Sequence, residues 1–256
     1  RVSRSRDVDV NAARPVLLIE DDAAIRRLVS IALEDLPIEL HQADTVAEGL
    51  RQLAARAHRL IISDLMLPDG SGLEVLRRLH ADPGHNGQAQ LAVFSAGVSD
   101  AQRAELAKIG VRQVLPKPIS IAALADFVRA AIGEQGESMA TASASSAAEA
   151  HIDADAQRRA INEFFIGDAA LYASFRASAV RQFANDVRQA DRARESADPA
   201  AFRRVVHSLK TVLLTLGHPD LSAMAATLEH AAAAGNLEPV VPQWLHLREA
   251  LLSMVE

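Results

Sequence analysis

The sequence predicts an α/β domain with a doubly wound, five-stranded parallel sheet, followed by an all-α domain built as a four-helix bundle. Three observations support this division. Short, mainly apolar runs alternate with helical periodicity from residue 15 to residue 133. Residues 134–151 are small and polar without an apolar period, and no strand pattern follows residue 152. Apolar strands that are separated by helices are typical of a parallel sheet covered on both faces.

The α/β domain is assigned to residues 15–133 because strand and helix patterns alternate throughout this range. The apolar runs that predict buried strands are Val16–Ile19, Arg59–Ser63, Leu91–Phe94 and Val111–Leu115. Apolar side chains at helical spacing indicate helices at Ile25–Leu33, Val46–Ala57, Gly72–Ala81, Asp100–Lys108 and Ser120–Ile132. Residues 1–14 are polar and rich in arginine, so we expect a disordered N-terminal segment there.

The composition of residues 134–151 predicts a flexible linker. Its typical reach of about 20–25 Å would tether two domains without fixing their orientation. The second domain, residues 152–256, carries helix-capping signals, which predict helices at Asp168–Glu195, Pro199–Leu216, Pro219–Ala234 and Glu238–Val255. Short connections between these helices favour an up-and-down bundle.

Composition excludes several classes of protein. The net charge is −6, and the helical domain has 11 basic against 13 acidic residues, which disfavours binding to nucleic acid. The chain has no cysteine, which fits a reducing cytoplasm. No apolar run approaches the ~20 residues that span a bilayer, so we expect no membrane insertion by this segment. Because the chain begins with Arg1 rather than Met, we expect a piece of a longer protein.

Polar residues follow the predicted strands of the α/β domain. Glu20 and Asp21 follow the first strand, Asp64 follows the third, Ser95 the fourth and Lys117 the fifth. Ligands bind beyond the carboxyl ends of parallel strands, so these side chains should meet. Oxygen ligands suit Mg²⁺, and a carboxylate such as Asp64 can attack a phosphoryl group. Ser95 and Lys117 are then placed to contact the phosphoryl oxygens.

Each of these features alone is weak, since an aspartate after a strand or before a helix is commonly a cap. Their order along one sheet edge favours a phosphoryl site. Other phosphate-binding classes fit worse. No glycine-rich dinucleotide loop follows the first strand. Asp64-Leu-Met66 also lacks the second aspartate that haloacid-dehalogenase-type phosphatases place two residues on.

The segments VLLIEDD, LIISDLMLPDGSG, VFSA and LPKP resemble the receiver domain of bacterial response regulators, which has a flavodoxin-like fold. The resemblance implies that Asp64 is the phosphoacceptor, Ser95 the switch hydroxyl and Lys117 the phosphate-binding cation. It also implies Mg²⁺ bound by two acids after the first strand, the phosphoacceptor and one backbone carbonyl: Glu20, Asp21, Asp64 and Met66. The chain departs from the family at Val114, where an aromatic residue usually reports phosphorylation.

A histidine marks the second candidate site. On the predicted helix Pro199–Leu216, His207 lies about 160° from the centre of the apolar stripe, so it should face solvent. An exposed imidazole is partly neutral at cytoplasmic pH and can act as a nucleophile toward an aspartyl phosphate. Lys210 lies one turn further on the same side, where it would soften the added negative charge.

His207-Ser-Leu-Lys210 resembles the core of histidine-containing phosphotransfer (HPt) domains, and Leu216-Gly217 and Leu228-Glu229 occur where that family has similar residues. The resemblance implies a four-helix bundle, an exposed His207 and no kinase activity. The family usually has glycine and then a small residue after the lysine, where this chain has Thr211 and Val212. We expect Thr211 on the exposed side, where its branched side chain would hinder docking of a receiver.

The sequence is thus interpreted as a phosphorelay intermediate without an ATP-binding kinase domain. Its expected partners are a histidine kinase or another phosphohistidine donor, and a downstream receiver domain. The missing initiator methionine favours the cytoplasmic, C-terminal part of a membrane-anchored hybrid histidine kinase over a free-standing protein. One alternative is a docking or adaptor module with a partly degenerate receiver or HPt site. A DNA-binding response regulator is disfavoured because the helical domain is not basic.

Overall fold

A computed structural model describes residues 13–111, 113–133 and 152–255 of the 256-residue chain. The predicted N-terminal disordered segment lies almost wholly outside these residues. The predicted linker lies wholly outside them. Among the described residues, no helix is both long and apolar enough to cross a membrane.

The first half contains a five-stranded, wholly parallel sheet in the order β2-β1-β3-β4-β5, which confirms the predicted fold class. The strands are β1 Arg14–Ile19, β2 Ile38–Ala43, β3 Leu60–Ser63, β4 Gln90–Ser95 and β5 Gln113–Pro116. The helices between them are α1 Ala23–Ala32, α2 Val46–Ala55, α3 Gly72–Ala81, α4 Asp100–Lys108 and α5 Ile121–Ile132. β1, β3 and β4 are almost wholly buried, as their apolar sequences predict.

The strand without a predicted position, β2, lies at the edge of the sheet. Only Ala43 of its six residues is buried, and Glu39, His41 and Gln42 interrupt its apolar pattern. An edge strand is covered less completely than a central one, so it has no long apolar run by which to recognise it. The last strand, β5, begins at Gln113 rather than at the predicted Val111.

The second half is helical and consists, among the described residues, of α6 Ile152–Phe164, α7 Ala169–Glu195, α8 Pro199–Thr215, α9 Pro219–Ala233 and α10 Val241–Ser253. The last four correspond to the predicted bundle helices, and α6 is an additional helix before them. Asp168 and Asp198 cap α7 and α8 through their carboxylates. Gly217, with φ of 85°, lies against α6, where an added Cβ would come within 2.9 Å of the Ala156 carbonyl oxygen.

Aromatic side chains fill the core of the helical half. Phe202 of α8 packs edge-to-face on Trp244 of α10, with ring centroids 5.3 Å apart. The Trp244 indole N–H donates to the Asp191 carboxylate of α7 at 2.8 Å, so the buried ring keeps a partner for its polar atom. These contacts bind α7, α8 and α10 to one another.

The two halves contact each other directly, because α1 packs against α7. Buried side chains of α1, including Ile25 and Leu28, belong to the same apolar cluster as Phe183 and Val187 of α7. The prediction that only a tether joins the domains, with no fixed orientation, is therefore wrong for this structure. Six of the ten residues of α1 are buried, and α7 packs against part of this apolar surface.

Candidate functional site

The predicted acidic cluster forms at the carboxyl ends of the strands. One carboxylate oxygen from each of Glu20, Asp21 and Asp64 lies within 4.8 Å of the other two. Lys117 Nζ donates to Glu20 Oε2 at 2.5 Å and to Asp64 Oδ2 at 2.6 Å. Backbone hydrogen bonds fix these positions, since the Asp64 N–H donates to the Ile19 carbonyl at 2.8 Å. Glu20, Asp21, Asp64 and Lys117 therefore lie together at one edge of the sheet, as the sequence predicts.

Charge within the cluster is only partly balanced. Burial raises the pKa of Asp21 to about 6, with a further contribution from the charge of Asp64. Burial also raises the pKa of Glu20 well above its usual value, although Lys117 opposes the shift. Burial alone would lower the pKa of Lys117, but the charges of Asp64 and Glu20 outweigh it and raise that pKa. Three carboxylates share one ammonium, so the cluster has the oxygen ligands and the surplus negative charge of a cation site.

Two other predicted residues lie beside this cluster but make different contacts. The Met66 backbone N–H donates to Asp64 Oδ1 at 3.1 Å, which orients the carboxylate. The Ser95 hydroxyl is buried and donates to the Gly97 carbonyl of its own loop at 3.0 Å. Val114 is half-buried and packs in a small apolar cluster with Val93 and Leu106.

Sequence reasoning missed the part that Gly72 plays at this site. Gly72 begins α3, and its Cα lies so close to the backbone of Asp64 that an added Cβ would overlap the Asp64 carbonyl oxygen and the Ser63 hydroxyl. Only glycine allows this approach. The available signal is the segment Gly70-Ser71-Gly72, at the end of the receiver-like motif LIISDLMLPDGSG.

We expect Gly72→Ala to destabilise the protein by about 2 kcal/mol, because the new methyl group must push the Asp64 backbone aside. Urea unfolding at equilibrium measures the change. Gly87→Ala is the matched control, since a Cβ there meets only ordinary contacts at 3.7 Å and beyond. Equal effects of the two substitutions would contradict this account of Gly72.

The second candidate site joins α8 to α9. His207 Nδ1 lies 2.7 Å from Glu229 Oε1, and Lys210 Nζ donates to Glu229 Oε2 at 2.5 Å. The His207 side chain is only 7% exposed, and its Nε2 is buried without a hydrogen-bond partner in the described part of the chain. The prediction that His207 faces solvent is therefore wrong.

The expected exposure of Thr211 is wrong for the same reason. Thr211 is buried, and its hydroxyl also has no partner among the described residues. The apolar stripe marks only one packed face of α8, whereas α9 covers a second face that carries polar residues. The Ser222 hydroxyl of α9 donates to the Lys210 carbonyl at 2.7 Å, and the small side chain of Ala225 is fully buried nearby on α9. Small residues on α9 allow this close approach.

Glu229 is the residue of this site that sequence reasoning did not assign. Burial would raise its pKa, but the hydrogen bond and charge of His207, followed by those of Lys210, lower it to about 2. Because a carboxylate only accepts, His207 Nδ1 must carry the proton, and in a neutral imidazole Nε2 then holds the free lone pair. Its signal in the sequence is Leu228-Glu229, which resembles the corresponding segment of the HPt family.

Two family models match the chain. The response regulator receiver domain matches residues 16–129, and the Hpt domain matches residues 174–256. The first range contains the whole acidic cluster. The second contains His207, Lys210 and Glu229.

Individual relatives agree with the first match. The KDP operon transcriptional regulatory protein KdpE of Escherichia coli (strain K12) is 35% identical over 117 residues, which are 46% of this chain and 50% of that protein. The transcriptional regulatory protein FixJ of Azorhizobium caulinodans is 32% identical over 124 residues, 48% of this chain and 57% of that protein. The chain thus spans about half the length of these relatives.

A CheY-like receiver domain protein from Methanospirillum hungatei JF-1, solved by crystallography, is 24% identical. Its comparison has a TM-score of 0.43 and covers 48% of this chain and 95% of that one. The two family matches occupy separate parts of the sequence, in the order receiver and then Hpt. The chain therefore belongs to the two-component phosphorelay proteins, with a response regulator receiver domain followed by an Hpt domain.

Proposed function

We propose that this chain passes phosphoryl groups between histidine and aspartate, with Asp64 as the phosphoacceptor of the receiver domain and His207 as the phosphorylated residue of the Hpt domain. The observation that supports this most strongly is the buried cluster in which Lys117 Nζ lies 2.6 Å from Asp64 Oδ2, within an acidic set of cation ligands. Lys117 can then move from the free carboxylate to the oxygens of an attached phosphoryl group.

Phosphorylation of Asp64 is a transfer from a phosphohistidine donor. An Asp64 oxygen forms the new bond to phosphorus, the phosphorus–nitrogen bond breaks, and its electron pair returns to the imidazole of the donor. Lys117 and the hydroxyl of Ser95 would contact the transferred group, once that hydroxyl turns away from the Gly97 carbonyl. Mg²⁺, held by Glu20, Asp21, Asp64 and the Met66 carbonyl, would supply positive charge that offsets the charge of the phosphoryl oxygens.

The second transfer uses His207. Glu229 holds the Nδ1 proton, which directs the lone pair of a neutral imidazole to Nε2, and Nε2 forms the bond to phosphorus as the bond to an aspartate oxygen breaks. That aspartate is Asp64 or the corresponding residue of a separate receiver. Lys210 shares Glu229 with His207, so its ammonium is close enough to balance the added charge.

One experiment tests both assignments. The protein is incubated with a phosphorylated histidine kinase domain and Mg²⁺, and the stability of the bound phosphate is measured in acid and in alkali. We expect an alkali-labile acyl phosphate and an acid-labile phosphohistidine, each removed by the matching substitution at Asp64 or His207. Phosphate that survives both substitutions would contradict the proposal.

A docking or adaptor module is the second candidate function, and burial of His207 Nε2 favours it. A nitrogen without solvent access cannot meet a phosphorus atom unless its surroundings move. The same incubation separates the two candidates, since an adaptor would bind its partners but acquire no phosphohistidine.

We further propose that residues 15–133 and 152–256 are the two domains and that the chain acts in the cytoplasm, where kinases draw phosphoryl groups from ATP. Its partners would be a histidine kinase or another phosphohistidine donor and a downstream receiver. The chain would act by phosphotransfer, without a kinase reaction of its own.

Acid should weaken the contact between Glu229 and the His207–Lys210 pair. The pKa of Glu229 is lowered from 4.5 to about 2, so its carboxylate stabilises the fold above pH 4.5, and this contribution is lost as the pH falls toward 2. We expect Glu229→Gln to destabilise the protein at pH 7, and the difference from the parent to shrink at pH 3. Urea unfolding at both pH values measures it.

The control for this prediction is Glu249→Gln, on an exposed side of α10. It should change the free energy of unfolding by no more than about 0.5 kcal/mol at either pH. A Glu229→Gln penalty that stays constant between pH 7 and pH 3 would argue against the charged contact.

A further inference from the structure

A cavity of about 320 Å³ lies where the two domains meet. Asp21, Asp22 and Pro68 line its receiver side, next to the acidic cluster. Side chains of α7 and α8 line the opposite side, among them Gln182, Asp186, Arg192, Arg204 and Ser208. The Hpt domain therefore shares this cavity with Asp21, one of the proposed cation ligands.

Asp186 is the unexpected member of this lining. It sits on α7, half-buried, and lines the same cavity as the receiver carboxylates of Asp21 and Asp22. Its carboxylate accepts a hydrogen bond from the Gln182 amide at 3.0 Å, but no Lys, Arg or His of the described residues lies within ion-pairing distance of it. Burial raises its pKa to about 7, and the charges of Asp22 and then Asp21 add to the shift.

The arginines in the cavity do not balance these acids. Neither Arg192 nor Arg204 forms an ion pair with Asp21, Asp22 or Asp186 within the described ranges, and neither contributes to the pKa shift of Asp186. Docking without a cation therefore brings a third carboxylate toward two others in a partly desolvated space, which opposes the docked arrangement.

We propose that Asp186 links cation binding in the receiver domain to docking of the Hpt domain, an inference that rests on the proposed Mg²⁺ site. A divalent cation held by Glu20, Asp21 and Asp64 offsets the repulsion that Asp186 meets on docking. Docking in turn brings a further negative charge toward the cation. The coupling is reciprocal, so Mg²⁺ favours the docked arrangement and the docked arrangement raises the affinity for Mg²⁺. Asp186 acts across the interface, since it is outside the set of direct ligands.

The test measures docking and cation affinity in the full chain. The chain has no cysteine, so a pair introduced at the exposed positions Ala104 of α4 and Gln243 of α10 carries all the label. Fluorescence energy transfer between the labels reports docking during a Mg²⁺ titration, and calorimetry gives the dissociation constant. The variant is Asp186→Asn, which keeps the shape and a hydrogen-bond acceptor for Gln182, and the matched control is Glu163→Gln on α6.

In the parent chain we expect Mg²⁺ to raise the docked fraction. Asp186→Asn should be docked to the same extent with and without Mg²⁺, and should bind Mg²⁺ about two- to fivefold more weakly, which lies within the usual range of coupling between sites. Glu163→Gln should behave like the parent. If the parent binds Mg²⁺ but Asp186→Asn matches it in both measurements, the coupling is refuted while the proposed function stands. If the parent binds no Mg²⁺, the proposed site fails, and the coupling fails with it.

Discussion

Asp64→Asn should abolish the acyl phosphate that forms when the protein is incubated with a small-molecule phosphodonor and Mg²⁺. The amide is a poor nucleophile and carries no charge, so it neither attacks phosphorus nor completes the cation site. Phosphate incorporation, measured by mass or by mobility on a phosphate-affinity gel, should fall to background. Removing Mg²⁺ from the parent protein should have a similar effect, because the surplus negative charge of the cluster would repel the donor.

The variant should still fold. Lys117 keeps Glu20 as a partner, at 2.5 Å in the parent structure. The substitution also removes one negative charge from a cluster in which three carboxylates share one ammonium. Circular dichroism on heating checks this. Asp100→Asn, at the exposed start of α4, is the control that should be phosphorylated like the parent. A folded Asp64→Asn that still acquires the acyl phosphate would disprove the receiver assignment.

The acidic cluster was predictable because two simple rules determine it. Wholly apolar strands can only be central strands of a covered sheet, and the carboxyl ends of parallel strands meet at one edge. Glu20, Asp21 and Asp64 follow two such strands, β1 and β3, and Lys117 follows the edge strand β5 at the same end of the sheet. Their meeting therefore required no knowledge of side-chain packing. Their chemical roles stay predictions until phosphorylation is measured. The position of strand β2 was not predicted, because an edge strand need not be apolar, as His41 and Gln42 show.

The site on α8 was only partly predictable because its burial depends on a neighbouring helix. A helical wheel locates the face that carries apolar residues, and it places His207 opposite that face. The structure packs α9 on the polar side as well, through Ser222 and the carboxylate of Glu229. Hydrogen bonds from His207 and Lys210 to Glu229 and from Ser222 to the Lys210 carbonyl hold the two helices together there, and hydropathy does not reveal such pairing.

Contacts between the domains were beyond the sequence argument altogether. The polar composition of residues 134–151 describes a tether, but it gives no information on whether the tethered surfaces fit one another. The packing of α1 on α7 depends on apolar side chains that the separate domains would each expose. Asp186 shows the difficulty well, since in the sequence it is an ordinary charged residue of an amphipathic helix. Its place in the cavity that Asp21 and Asp22 also line is visible only in the folded structure.

His207→Gln should eliminate the alkali-stable phosphate that the parent chain acquires from a phosphorylated receiver. A glutamine amide has no lone pair comparable to that of Nε2, so the bond to phosphorus cannot form. The measurement is the phosphate that remains on the protein after alkali treatment. His230→Gln, on the exposed side of α9 one residue after Glu229, is the control that should transfer normally.

Burial of His207 changes what this substitution should do to stability. An exposed histidine could be replaced at little cost, whereas His207 shares the Glu229 carboxylate with Lys210 inside the contact between α8 and α9. We expect a loss of about 1–2 kcal/mol in the free energy of unfolding, because glutamine can donate to Glu229 but fills the space less well. Urea unfolding measures it. Retained transfer in a folded His207→Gln would assign the phosphorylated residue elsewhere.

The buried Nε2 also has a kinetic consequence in the parent chain. If the side chains around Nε2 must first move, the transfer rate should reach a plateau as the concentration of phosphorylated receiver rises, and different receivers should share that plateau. Rapid-quench measurements with two unrelated receivers test this. A rate that climbs without limit, or plateaus that differ with the donor, would show that Nε2 is reached directly and that its burial has no part in controlling transfer.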